Sequence, residues 1–166
     1  MLTRRELAVK WAAYALCTLL LMFLRALLLG NMQFWGVLPF LPPVILACVA
    51  SLEDSLPATV FALAFGVYCD LLLQAPFPCL YTVSFTLAAL AALLSKSVLQ
   101  QGFVRVLALV FLTFLIVNVF NMLFFAAHSG AALLPMLSLC VRETLVSCPL
   151  LVCYPLFLLI HRFFTV

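Results

Sequence analysis

The sequence predicts an all-α polytopic membrane protein: one integral membrane domain, a bundle of about six transmembrane helices. Two observations carry that expectation. Of the 166 residues, 69% are hydrophobic and 8% charged, with a mean hydropathy of +1.36. A soluble domain is about 45–50% apolar and about a quarter charged, and small folds leave too much surface exposed to hide such an excess. The apolar stretches are also long and continuous, without the period-two alternation of a barrel strand. In hydrocarbon each backbone polar group needs an internal partner, so helices are the expected solution.

Six spans follow along the chain, at about 11–29, 37–51, 56–74, 80–94, 106–127 and 143–160. The start (Arg4, Arg5, Glu6, Lys10, then an apolar run) is signal-like. That run is too long for a signal core, contains Arg25 and lacks a clear cleavage site, so an uncleaved first helix is expected. Trp35 suits an interfacial loop. The second span is short and carries Pro39, Pro42 and Pro43. Either its helix starts near Pro42 or its first part is irregular, because proline suits a first turn and breaks an interior. Glu53 and Asp54 read as an acidic turn. Residues 131–141 read as interfacial or as the first half of a long final helix.

Basic residues set the expected topology. With six spans and a cytoplasmic start, Arg4, Arg5, Lys10, Lys96, Arg105 and Arg162 all fall on the cytoplasmic side. Both termini are therefore expected in the cytoplasm, and the net charge of +3 suits loops facing anionic lipid.

Few intramembrane residues can carry chemistry. Ala58, Ala62, Gly66 and Asp70 recur at every fourth position, on one helix face, where small residues admit a neighbouring backbone. Asp70 should therefore point into the bundle and pair with Arg25 or Arg142, so a charge swap between partners should restore folding. Ser84, Ala88, Ala92 and Lys96 repeat the spacing on the fourth span. Asn118 and Asn121 could bond across helices or line a small polar cavity. Arg142–Glu143 reads as an interfacial charged pair at a helix start. The seven cysteines, with no CxxC spacing, read as small hydrophobes. No metal site, cofactor, catalytic group or nucleic-acid face is expected, and an intramembrane enzyme is the least favoured class.

The stretch Phe65-Gly66-Val67-Tyr68-Cys69-Asp70-Leu71-Leu72 resembles the Gly-x-x-x-Asp-Leu-Leu signature of MreD, the bacterial rod-shape-determining membrane protein family. Pro42-Pro43 before an apolar helix, and Leu150 to Leu156 followed by a basic tip, are similar to it as well. The chain departs from the family pattern at Glu53-Asp54-Ser55, where a basic residue and glycine are frequent, and at Ala75-Pro76-Phe77-Pro78, where a glycine-rich turn is frequent. The resemblance implies a non-enzymatic scaffold in the cytoplasmic membrane. It would work beside an MreC-like protein, a RodA-like glycosyltransferase and a class B penicillin-binding protein, with the MreB filament as an indirect partner. It also implies a fold similar to the substrate-binding subunits of energy-coupling-factor transporters. A vitamin-binding membrane subunit is therefore the alternative function. Asp70, Arg25, Arg142, Asn118 and Asn121 would then have to converge near the outer leaflet.

Overall fold

The computed structural model describes residues 4–28, 30, 33–53, 55–73, 77–95, 102–129 and 133–165. Among them the only regular structure is helical: α1 (Arg4–Leu28), α2 (Pro42–Leu52), α3 (Ser55–Leu72), α4 (Leu80–Ser95), α5 (Phe103–Ser129), α6 (Leu133–Ser147), a 3₁₀ stretch (Cys148–Cys153) and α7 (Tyr154–Thr165). Three helical segments are long and apolar enough to cross a membrane: Arg5–Leu28, Phe103–His128 and Leu134–Phe164. The helices α2, α3 and α4 are shorter and equally apolar.

The centre of the bundle is α2. Every residue from Pro42 to Ser51 is buried, and α3, α4, α5, α7 and the 3₁₀ stretch all pack on it. A helix apolar all round belongs in such a place. At 11 residues it is about 16 Å long, roughly half a hydrocarbon core. The expected second span therefore divides. Its helix begins at Pro42, where two prolines cost no backbone donor that the first turn would use. Residues 38–41 are non-helical. Ahead of them Phe34 and Val37 exchange backbone hydrogen bonds of 2.9 and 3.0 Å across a tight turn. Both central residues of that turn, Trp35 and Gly36, are left-handed, with φ of 54° and 76°. That pairing defines a primed hairpin turn, which favours glycine.

Irregular backbone inside an apolar bundle needs partners from the protein itself. Here two side chains supply them. Arg25 Nε donates to the Pro39 carbonyl at 3.1 Å, and the Phe40 amide donates to Ser147 Oγ at 2.8 Å. Ser147 is fully buried. Ser147→Ala leaves the Phe40 amide without an acceptor and should lower stability by about 1–3 kcal/mol. Thermal unfolding in detergent measures it, and an unchanged midpoint would count against this role.

The closest helix pair is α3 with α4. Ala58, Ala62 and Gly66 are buried on one side, and Ser84, Ala88 and Ala92 on the other. Both expected small-residue faces are thus buried within the chain. A Cβ at Gly66 would lie 2.6 Å from Thr82 Cα and 2.9 Å from the Tyr81 carbonyl oxygen. Lys96 lies outside the described residues.

The final segment takes the second of the two expected forms, with residues 133–141 as the first half of a long helical stretch. It starts at Leu133 and loosens into a 3₁₀ stretch at Cys148–Cys153. Pro149 and Pro155 explain the break, since neither can donate to an α-helical ladder. Pro155 also suits the first turn of α7.

Candidate functional site

Polar side chains gather at several places in this apolar bundle. The first is Asp70. Its Oδ1 accepts from the Tyr81 amide at 2.9 Å; its Oδ2 accepts from the Thr82 amide at 2.9 Å and the Thr82 hydroxyl at 2.6 Å. These amides belong to the second and third residues of α4. Asp70 therefore takes the place of an N-cap residue from the neighbouring helix. Cys79, at the cap position itself, has φ 65° and an apolar thiol.

This corrects the expected pairing of Asp70 with Arg25 or Arg142. Arg25 is held by Pro39 and lies over the Phe40 ring, 5.9 Å from its centroid. Arg142 is exposed on α6. The reason is proximity: the short α3–α4 connection delivers orphan amide donors, at the positive end of a helix dipole, directly to the carboxylate. Asp70→Arg combined with Arg25→Asp or Arg142→Asp should accordingly fail to restore folding, since an arginine cannot accept from those amides. Recovery of the parental detergent unfolding midpoint in either swap would revive the pairing.

The second place is at the end of the bundle where α1 begins and α2 and α7 end. Glu53 Oε1 is 2.6 Å from Lys10 Nζ, accepts from the Tyr14 hydroxyl at 2.8 Å, and lies 2.9 Å from His161 Nδ1. Tyr14 OH is 3.4 Å from the same histidine nitrogen. Lys10 is 3% exposed and Glu53 6%, so this ion pair is buried. Burial pushes the Glu53 carboxyl up, but the hydrogen bonds from Lys10, Tyr14 and His161 outweigh it and hold the group below its ordinary value. From sequence, Lys10 falls among the cytoplasmic-side basic residues and Glu53 in an acidic turn, and the structure buries both. The available signal was Lys10 and Tyr14 at i and i+4 on one face of α1. Nothing in the sequence places Glu53 and His161 opposite that face. Asp54 lies outside the described residues.

The third place is a cavity of about 830 Å³ lined by Asn118 and Asn121 of α5, Tyr81 of α4, and Met136, Cys140 and Glu143 of α6, among others. Asn121 Oδ1 is buried there without a hydrogen-bond partner. Of the five residues the transporter alternative needs together, Asn118 and Asn121 line this cavity; Arg25, Asp70 and Arg142 do not. Glu143 does, because it sits well inside α6 rather than at a helix start as its sequence context suggested. Among the described residues no group of three His, Cys, Asp or Glu side chains is placed to hold a metal ion.

These arrangements are a cap, a buried ion pair with two aromatic partners, and a lined cavity. The first two join helices to one another, and the third has room for a small molecule. Compared with known proteins, the chain matches no family model, no curated protein and no solved structure.

Proposed function

We propose that this chain is a non-enzymatic scaffold subunit of the bacterial wall-elongation complex, resembling MreD. It crosses the cytoplasmic membrane six times, with both termini in the cytoplasm. The observation that carries this reading is the mechanical unit formed by Gly66 and Asp70. These residues carry the family resemblance, and in the fold one admits the α4 backbone while the other caps it. Such a pair locks a helix hairpin, which is a scaffold's need rather than a catalyst's. Supporting the even number of crossings, the start of α1, the ends of α2 and α7 and the start of α5 lie at one end of the bundle. Lys10, Glu53 and His161 join the first three, and His161 shares a cavity wall with Arg105 of α5. The basic residues found at that end, Lys10, Arg105 and Arg162, suit the cytoplasmic side.

The small-residue faces are buried within the chain, so the surface left for partners is large and apolar. Leu16, Leu20, Phe23 and Leu27 form such a stripe along α1. The expected partners are those of the resemblance: the lipid bilayer, an MreC-like protein, a RodA-like glycosyltransferase and a class B penicillin-binding protein. The full tagged chain, extracted from its own bacterium and quantified by mass spectrometry, should bring down an MreC-like protein near equal amounts. Enrichment of an ATPase pair instead, or tight binding of a vitamin to the isolated chain, would overturn this reading.

The Asn118–Asn121 cavity favours a second reading, a small-molecule-binding subunit of an energy-coupling-factor-type transporter. Asn121→Leu separates the two. If the amide has no ligand, removing an unpartnered buried oxygen leaves the detergent unfolding midpoint unchanged or higher. A bound metabolite released by that substitution, seen by native mass spectrometry, would favour the transporter.

A further inference from the structure

A second cavity, of about 450 Å³, opens between the end of α2, the start of α5 and the end of α7. Ser51, Phe103, Arg105, Tyr154, His161 and Arg162 are among its lining. Its unusual member is Arg105. The residue is 3% exposed, and both Nε and Nη2 are buried with no hydrogen-bond partner. A guanidinium always carries its charge, and a buried charge without a partner is among the costliest arrangements a fold can hold. Among the described residues, the lining contains no carboxylate to offset it. Glu53 is committed to Lys10, Tyr14 and His161 and is not part of the wall. Ser51 spends its hydroxyl proton on the Cys48 carbonyl, 2.7 Å away.

We propose that this cavity binds a phosphate group, held by Arg105 with Arg162 beside it. Four observations specify that chemistry. Two guanidinium groups share the cavity, and their planar forks match phosphate oxygens two at a time. The opening turn of α5 adds the positive end of a 27-residue helix. The volume exceeds a bare phosphate and leaves room for whatever the phosphate esterifies. Finally, Arg105 is the third residue of α5 and Arg162 lies in the last turn of α7, the depth at which a span meets lipid headgroups. Phe103, 59% exposed, gives the cavity an apolar lip on which an acyl chain can rest. The phosphate can come from a phospholipid headgroup or from a soluble phosphate. The proposal does not depend on the scaffold reading.

The test uses the full chain purified in a sugar-headed detergent, with phosphatidylglycerol added in one arm, a sugar-headed lipid in the second and inorganic phosphate or pyrophosphate in the third. Thermal unfolding and native mass spectrometry are the readouts. Phosphatidylglycerol should raise the midpoint and stay bound, and Arg105→Met should weaken that binding by about tenfold or more. In detergent alone Arg105→Met should unfold no earlier than the parent, because it removes a charge that has no partner there. Arg105→Lys keeps the charge but loses the fork, and should bind between the two. A response to inorganic phosphate with none to the lipid supports the site and assigns it to a soluble ligand. The proposal is overturned if neither phosphate source acts more strongly than the sugar-headed lipid, or if Arg105→Met and the parent bind alike.

Discussion

Glu53→Ala is expected to cost the folded protein about 3–5 kcal/mol, because it leaves the Lys10 ammonium buried with no counter-charge. Lys10 is 3% exposed and cannot reach water without moving the start of α1. The same carboxylate oxygen also accepts from Tyr14, which packs on Phe157 of α7 at a ring distance of 6.0 Å. One atom thus ties the first helix, the central helix and the last one together. The measurement is thermal unfolding in detergent, and an unchanged midpoint for Glu53→Ala would remove the cluster from any structural role. Lys10→Met combined with Glu53→Leu is the control. Replacing both charges by apolar groups of similar size should recover most of the loss, since a paired buried charge is worth little net. The pH dependence has a definite sign. The folded carboxyl sits below its ordinary value, so its contribution is complete above the unfolded value of about 4.3. It is lost as pH falls through the lower, folded value. Wild type should therefore lose stability in that acid window, and the double variant should lose less.

Gly66→Ala is expected to be nearly as damaging, at about 1–3 kcal/mol for the overpacking alone. The added methyl would meet Thr82 Cα at 2.6 Å and the Tyr81 carbonyl oxygen at 2.9 Å, and both are backbone atoms that no rotamer change can clear. Separating the helices there also lengthens the Asp70 hydrogen bonds to the Tyr81 and Thr82 amides. The two losses share a cause, so Gly66→Ala and Asp70→Ala together should cost less than their sum. Alanine at the already small Ala62 position offers the contrast: Ala62→Gly should cost only about 1 kcal/mol of helix propensity and packing. A Gly66→Ala variant with a parental unfolding midpoint would show that α4 can retreat freely, and would undo the hairpin-lock argument.

Much of this architecture is legible in the sequence because hydrocarbon is an exacting solvent. It forces long apolar helices, so the bounds of α3 and α4, and the core of α1 and α5, follow from counting apolar residues between punctuating Pro, Gly and charge. The four-residue spacing of Ala58, Ala62, Gly66 and Asp70 predicted a buried, close-packed face because helical periodicity is local. Local rules also located the disturbed place at Pro39–Pro43 without deciding its form, whereas the break at Pro149–Pro155 came only with the structure.

Partnership was a different matter. Opposite charges attract in an apolar medium, so the sequence points Asp70 towards Arg25 or Arg142. The fold offered Asp70 something nearer, the free amides of the next helix, and gave Arg25 the carbonyl of a broken one. Lys10 and Glu53 read as surface charges because each stands at the end of an apolar run, where water is expected. Burial of Lys10 and Glu53 depends on three helix ends arriving at one spot, separated by as many as 147 positions in sequence between Tyr14 and His161.

By itself, then, the sequence determined the apolar character, the helical class and the faces on which small residues lie, since these follow from composition and from a 3.6-residue period. The tertiary structure decided which polar group answers which: the cap on α4, the Lys10–Glu53 pair, the unanswered guanidinium of Arg105. Electrostatics and hydrogen bonding act over a few ångströms of space, and only the packed bundle sets those distances.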